Sequence, residues 1–271
     1  MPRVGHTGVV DEEVLAGGVA NAGAVTRHGG YVMRPANEHS ATIHRFLRGL
    51  RATGFEAVPR PVGVDPDGRE RLTYIDGDVP LPPFPTWVKS DACVASVARL
   101  VRRFHDASQR VDTIGMSWSA EMADPEGGQV VCHNDVCLEN VVFRDGQAVA
   151  LLDWDFAAPG RPVYDLAQFA RMCIPVDDDL GAANLGFGAA DRPARLRVVA
   201  DEYGLDAGGR AGLVRVLGES IANGGEFVRR RVEAGDSNFI EMWHQIGGME
   251  RFDRRRRWWH DHGRDFARVM R

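Results

Sequence analysis

An α+β fold of two lobes, a small β-rich one followed by a larger, mainly helical one, is what this sequence predicts on three observations. Short β-prone runs punctuated by glycine and proline fill the first 75 residues, a proline-rich stretch follows, and helical periodicity dominates from about Asp165 onward. With 271 residues and 44% hydrophobic content, the chain can bury a substantial core.

The small lobe is read first. Val14-Leu15, Ala24 to Arg27 and Tyr31 to Arg34 are β-prone runs separated by Gly17-Gly18 and His28-Gly29-Gly30. A Gly-Gly step between such runs signals a hairpin. Ser40 is placed as the cap of a helix along which Ile43, Phe46, Leu47 and Leu50 recur at helical spacing. Val62 to Val64 and Leu72 to Ile75 flank Asp65-Pro66-Asp67-Gly68 and predict a second hairpin. The run from Asp76 to Pro85 follows, and its prolines exclude it from a helix or central strand. The predicted organisation is a small lobe over residues 1–75, a hinge and linker over 76–86, and a large lobe over 87–271.

In the large lobe Val94, Val97, Val101 and Phe104 mark a helix ending near His105 and Asp106. Residues 129–155 read as strand, loop, hairpin (Val141 to Phe143, then Val149 to Leu152) and loop. Further on, Met242, Ile246, Met249 and Phe252 are expected on one helix face.

Composition narrows the function. A formal charge of -5 argues against non-specific nucleic-acid binding. Accordingly, Arg254 to Arg257 with Trp258-Trp259 reads as a C-terminal helix with solvated arginines. There is no apolar run of about 18 residues and no apolar stretch at the start, so a cytoplasmic protein without a membrane span is expected. The four cysteines form no CxxC pair and are expected to be reduced and buried. Lys89 is the only lysine, so a cation needed elsewhere must be arginine or histidine.

The segment from Val131 to Ala157 carries the chemistry. It holds His133-Asn134-Asp135, then Asn140, then Asp153 beyond a hairpin that returns the chain toward the same cleft. Phosphoryl transfer needs a carboxylate near an accepting hydroxyl and oxygen ligands for Mg²⁺ on the phosphates, and these residues meet both needs. The pattern H-x-D-x-x-x-x-N, the Asp153-Trp154-Asp155 run and Gly160 to Ala167 resemble the aminoglycoside phosphotransferase and choline kinase superfamily, which has a bilobal protein-kinase-like fold.

The resemblance implies Asp135 as catalytic base, Asn140 and Asp153 as metal ligands, and Asp165 as an acceptor for backbone groups of the catalytic loop. His133 is expected to brace that loop, and Asp155 is open between metal, substrate and neither. It also implies a phosphate-covering loop, for which Gly18 and Asn21 are candidates, and a cation on the third strand. Arg34 is that candidate, since Lys89 lies past the linker and guanidinium binds phosphate by paired hydrogen bonds. Glu38 and His44 are alternative partners for Arg34, and backbone near Tyr74, Ile75 and Asp76 is the expected adenine site.

The implied cofactors are ATP or GTP with Mg²⁺. The implied partner is a small hydroxyl acceptor (aminoglycoside, amino alcohol or sugar) for a monomer or homodimer, with antibiotic resistance among the uses. Acids of the helical half, among them Asp177, Asp178, Asp179, Glu219, Glu226, Glu233 and Glu241, are weighed as ligands of a polycationic acceptor. The missing lysine and irregular glycine loop motivate a second reading, a degenerate kinase fold that binds nucleotide without catalysis.

Overall fold

The computed structural model describes residues 12–188 and 190–271. The small lobe contains β1 (Glu12–Val14), β2 (Thr26–His28), β3 (Tyr31–Pro35), α1 (Ser40–Ala52), β4 (Pro61–Val64) and β5 (Arg69–Thr73). Its strands form one antiparallel sheet in the order β1-β2-β3-β5-β4.

Two local expectations are corrected. Ser40 is the first helical residue rather than the cap; its hydroxyl accepts from the Asn37 N–H at 2.9 Å, and His39 stands at the cap position. Strand β5 begins at Arg69 rather than Leu72, which puts Glu70 in the sheet directly opposite Arg34. The apolar stripe of α1 is buried as its spacing predicts.

Beyond β5 the chain runs along the second lobe. Asp78 and Phe143 exchange backbone hydrogen bonds of 2.8 Å in both directions, fastening the linker to the hairpin that carries Phe143. Gly77 makes this approach feasible: at φ 146° a Cβ there would lie 2.5 Å from Val142 Cγ1 and 2.6 Å from the Phe143 carbonyl oxygen. A short 3₁₀ turn, Thr86–Lys89, leads into α2 (Asp91–Ser108), where the Ser90 hydroxyl accepts from the Cys93 N–H.

Strand β6 (Val130–Cys132) follows, then β7 (Val141–Arg144), β8 (Gln147–Leu151) and β9 (Ala158–Gly160). They form two antiparallel pairs, β6 with β9 and β7 with β8. The remainder is helical: α3 (Pro162–Cys173), α4 (Asp179–Asn184), α5 (Arg192–Tyr203), α6 (Ala207–Glu233), α7 (Ser237–Ile246) and α8 (Gly248–Val269). Met242 to Phe252 is therefore not one helix face. Gly247 and Gly248, at φ 88° and 60°, turn a corner between α7 and α8, across which Trp243 stacks on Phe252.

The main core is continuous between the lobes. Phe46 of α1 meets Trp118, Trp154 and Phe104 edge-on, with ring centroids 5.3, 6.1 and 6.4 Å away. A smaller cluster of Met122, Phe227 and Phe239 takes Phe156 and, from the glycine loop, Val19 against it. The four cysteines are free and buried. The arginine run is only partly solvated: Arg255 is buried and bonded to Asp177, while Arg254 faces Asp178. No helix among the described residues is long and apolar enough to cross a membrane.

Candidate active site

The catalytic loop hangs from one carboxylate. Asp165, in the first turn of α3, is completely buried and accepts from the backbone N–H groups of His133 and Asn134 at 2.8 Å each. His105 of α2 adds a 2.9 Å bond from Nε2, and its Nδ1 meets the Tyr203 hydroxyl at 2.8 Å. Burial alone would raise the Asp165 pKa, but the His105 hydrogen bond and charge, followed by His133, hold the carboxyl below its usual range.

His133 is fully buried and has both ring nitrogens engaged. Nε2–H donates to the Leu152 carbonyl at 2.8 Å, and Nδ1 accepts from the Asp135 N–H at 3.3 Å. This fixes a neutral tautomer, and burial, the main cause, lowers the ring pKa. The ring braces two loops at once. The Leu152 N–H donates to the Asn140 carbonyl at 2.8 Å, so the loop carrying Asp135 and Asn140 is stitched to the loop carrying Asp153. Asn134 and Asp153 adopt positive φ of 63° and 57°, a conformation that non-glycine residues keep only where surrounding bonds hold it.

These contacts bring the predicted triad of oxygen-bearing side chains together. Asn140 Nδ2 donates to Asp135 Oδ2 and to the Asp135 carbonyl at 3.0 Å, leaving its amide oxygen available. Asn140 and Asp153 line one cavity of about 270 Å³. Burial first, then the Asp153 charge, pushes the Asp135 carboxyl well above the usual carboxylate range.

The β3 cation reaches the same floor. Arg34 Nε bonds Glu70, Nη1 bonds Asp153 Oδ1 at 3.0 Å, and Nη2 bonds Asp155. Burial opposes its charge, but Asp153, Asp155 and Glu70 together raise its pKa. Burial pushes Asp155 up to about 6 despite the facing guanidinium. Neither sequence candidate pairs with Arg34. Glu38 is exposed beside His39, and His44 instead bonds Glu70 Oε2 at 2.7 Å. The partner is Glu70, which a second hairpin strand expected only from Leu72 leaves outside the sheet; pairing β3 with β5 sets it opposite Arg34.

Gly18, Asn21, Arg34, Tyr74 and Ile75 line the cavity, and Asp76 does not. The Asp76 carboxylate is exposed, its carbonyl accepts from Arg144 Nε at 2.8 Å, and Gly77 takes its place in the wall. Three carboxylates around one guanidinium leave a surplus of negative charge. Asp153, whose Oδ1 alone is bonded to Arg34, and the amide oxygen of Asn140 offer hard oxygen donors of the kind Mg²⁺ takes.

The helical acids do not collect as a free acidic surface. Asp177 is buried between Arg251 and Arg255, Asp178 meets Arg251 and Arg254, and Asp179 meets Arg192. Glu219 pairs with Arg215, Glu226 and Glu233 with Arg229, and Glu241 accepts from Gln245.

Comparison with known proteins agrees with this geometry. The model of the phosphotransferase enzyme family matches residues 116–199, which contain the whole catalytic segment. The chain is 32% identical over 242 residues to the trifolitoxin immunity protein of Rhizobium leguminosarum bv. trifolii, covering 86% of this chain and 90% of the relative. A choline/ethanolamine kinase family protein from Mesorhizobium loti superposes with a TM-score of 0.63 at 16% identity, covering 98% and 94% of the two chains. The GDP complex of aminoglycoside 2′-phosphotransferase-IIIa gives 0.62 at 14% identity, with 93% and 94% covered. These two likenesses establish the fold, and the matched motif together with the relative leads to one conclusion: the chain belongs to the phosphotransferase enzyme family.

Proposed function

We propose that this protein transfers the γ-phosphoryl group of ATP or GTP to a hydroxyl of a small molecule. The observation behind the reading is the stitched pair of loops, in which Asn140 holds Asp135 by a hydrogen bond and lines, with Asp153, one cavity beneath the glycine loop. Asp135 orients the accepting hydroxyl and takes its proton, and burial, which raises its pKa, makes the carboxylate more basic than one in water. His133 has no ring nitrogen left for that task. Asn140 and Asp153 would hold Mg²⁺, which neutralises phosphate charge when bound. Arg34 turns toward the phosphates while Glu70 and His44 fix its stem, and the walls at Tyr74 and Ile75 take the base.

The immunity protein among the relatives supports a protective use, in which the accepting hydroxyl belongs to a toxic compound. A cytoplasmic setting supplies nucleotide and Mg²⁺. The alternative, nucleotide binding without transfer, draws on the arginine that stands in for lysine.

Asp135→Asn separates the two readings. Transfer from γ-labelled ATP or GTP to a panel of hydroxylated compounds should fall by about 10²–10⁴-fold, the usual weight of a general base, with nucleotide affinity little changed. Undiminished transfer would refute the assignment, and binding without any transfer by the unmodified protein would favour the alternative.

A further inference from the structure

Arg171 of α3 is a guanidinium without an ion-pair partner among the described residues. Its Nε and Nη2 donate to Gln168 Oε1 at 3.2 and 3.0 Å, Nε also to the Ser220 hydroxyl at 3.3 Å, and Nη2 to the Met172 sulfur at 3.3 Å. All these acceptors are neutral, and Gln168 and Ser220 are completely buried. The clamp is rich in donors: Ser220 gives its own proton to Gln168 Oε1 at 2.7 Å, and Gln168 Nε2 is buried with no acceptor. Gly224 of α6 leaves the guanidinium room, because a Cβ there would lie 3.0 Å from both Cζ and Nη1. A group so arranged lacks one thing, an anionic acceptor.

Its position relates it to the reaction. Helix α3 touches the catalytic loop at both ends, through Asp165 on the N–H groups of His133 and Asn134 and through the Cys173 thiol on the Val136 carbonyl at 3.6 Å. Arg171 lies between these contacts along α3. The nearby acids do not neutralise it, since Asp177 and Asp178 are already shared among Arg251, Arg254 and Arg255.

We infer that Arg171, clamped by Gln168 and Ser220, is the acceptor-side subsite for an oxyanion, so that the phosphorylated molecule carries a carboxylate or phosphate beside its hydroxyl. The inference rests on the phosphotransfer reading for the hydroxyl, while the binding it predicts needs no turnover. Charge-assisted bonds from a fork of N–H donors would orient the anion, leaving the hydroxyl to Asp135.

The test is an equilibrium titration of the nucleotide-bound protein with γ-hydroxybutyrate, glycerophosphate and, as the cationic counterpart, 4-aminobutanol. One or both anions should bind and the amine should not; the two anions tell carboxylate from phosphate. Arg171→Gln should weaken anion binding by about tenfold or more, the scale of one charge-assisted hydrogen bond, with partial rescue in Arg171→Lys. Gly224→Ala, which crowds the guanidinium without removing it, should weaken the same binding severalfold. Nucleotide affinity in the same samples reports that each variant is folded. Binding of the amine in preference, no binding of either anion, or equal anion affinity in Arg171→Gln would each overturn the inference. Loss of transfer in Asp135→Asn is scored separately, so the subsite and the reaction can fail independently.

Discussion

Both carboxylate oxygens of Asp165 are taken up by the loop that carries Asp135, and one of them also receives His105. Asparagine cannot accept at both positions, so Asp165→Asn should lose about 3 kcal/mol at neutral pH, as expected when a buried charge-assisted network is broken. The folded-state pKa is depressed, so the stabilisation is present above the ordinary carboxylate range and fades as pH falls through the folded value. The gap between the denaturant midpoints of the two proteins should therefore narrow as pH falls from 7 through the acid range. A gap independent of pH would mean the carboxylate charge is not what holds the loop. Asp135, Asn140 and Asp153 stood out in the sequence because phosphoryl transfer would need those residue types at that spacing, and Asp165 through the resemblance alone. Glu70, His105 and Tyr203 did not, because what assigns them is strand register and helix packing, which no local spacing records.

At the scale of elements, the hairpins were visible through their glycines and the helices through their stripes, yet boundaries moved where tertiary contact decides. Residues 242–252 keep a three-and-four spacing straight through a corner, since two glycines can reverse the chain without disturbing the count. Strand β5 extends back to Arg69 because β3 offers a partner that far, although Arg-Glu-Arg is a poor strand signal by itself. Gly77 joins the linker to β7 with no room for a methyl group, and it also walls the cavity. Gly77→Ala should cost about 1–3 kcal/mol through overpacking and an unfavourable φ. It should weaken nucleotide binding as well; calorimetry showing full stability and affinity would dismiss the fit described here.

For the molecule as a whole, the lobes share one aromatic core through Phe46, and arginine does nearly all the cationic work. Lys89, the single lysine, donates to the Gly186 carbonyl at 2.7 Å and does not line the cavity that Asn140 and Asp153 share. Acyl-phosphate analogues of ATP tag kinases by acylating an amine beside the phosphates, and a guanidinium that stays protonated does not react in that way. In a profiling experiment with such a reagent this protein should stay dark while still binding nucleotide, whereas Arg34→Lys should light up and be protected by excess ATP or GTP. Enzymes built on this arginine would then be missing from inventories compiled by amine-directed capture.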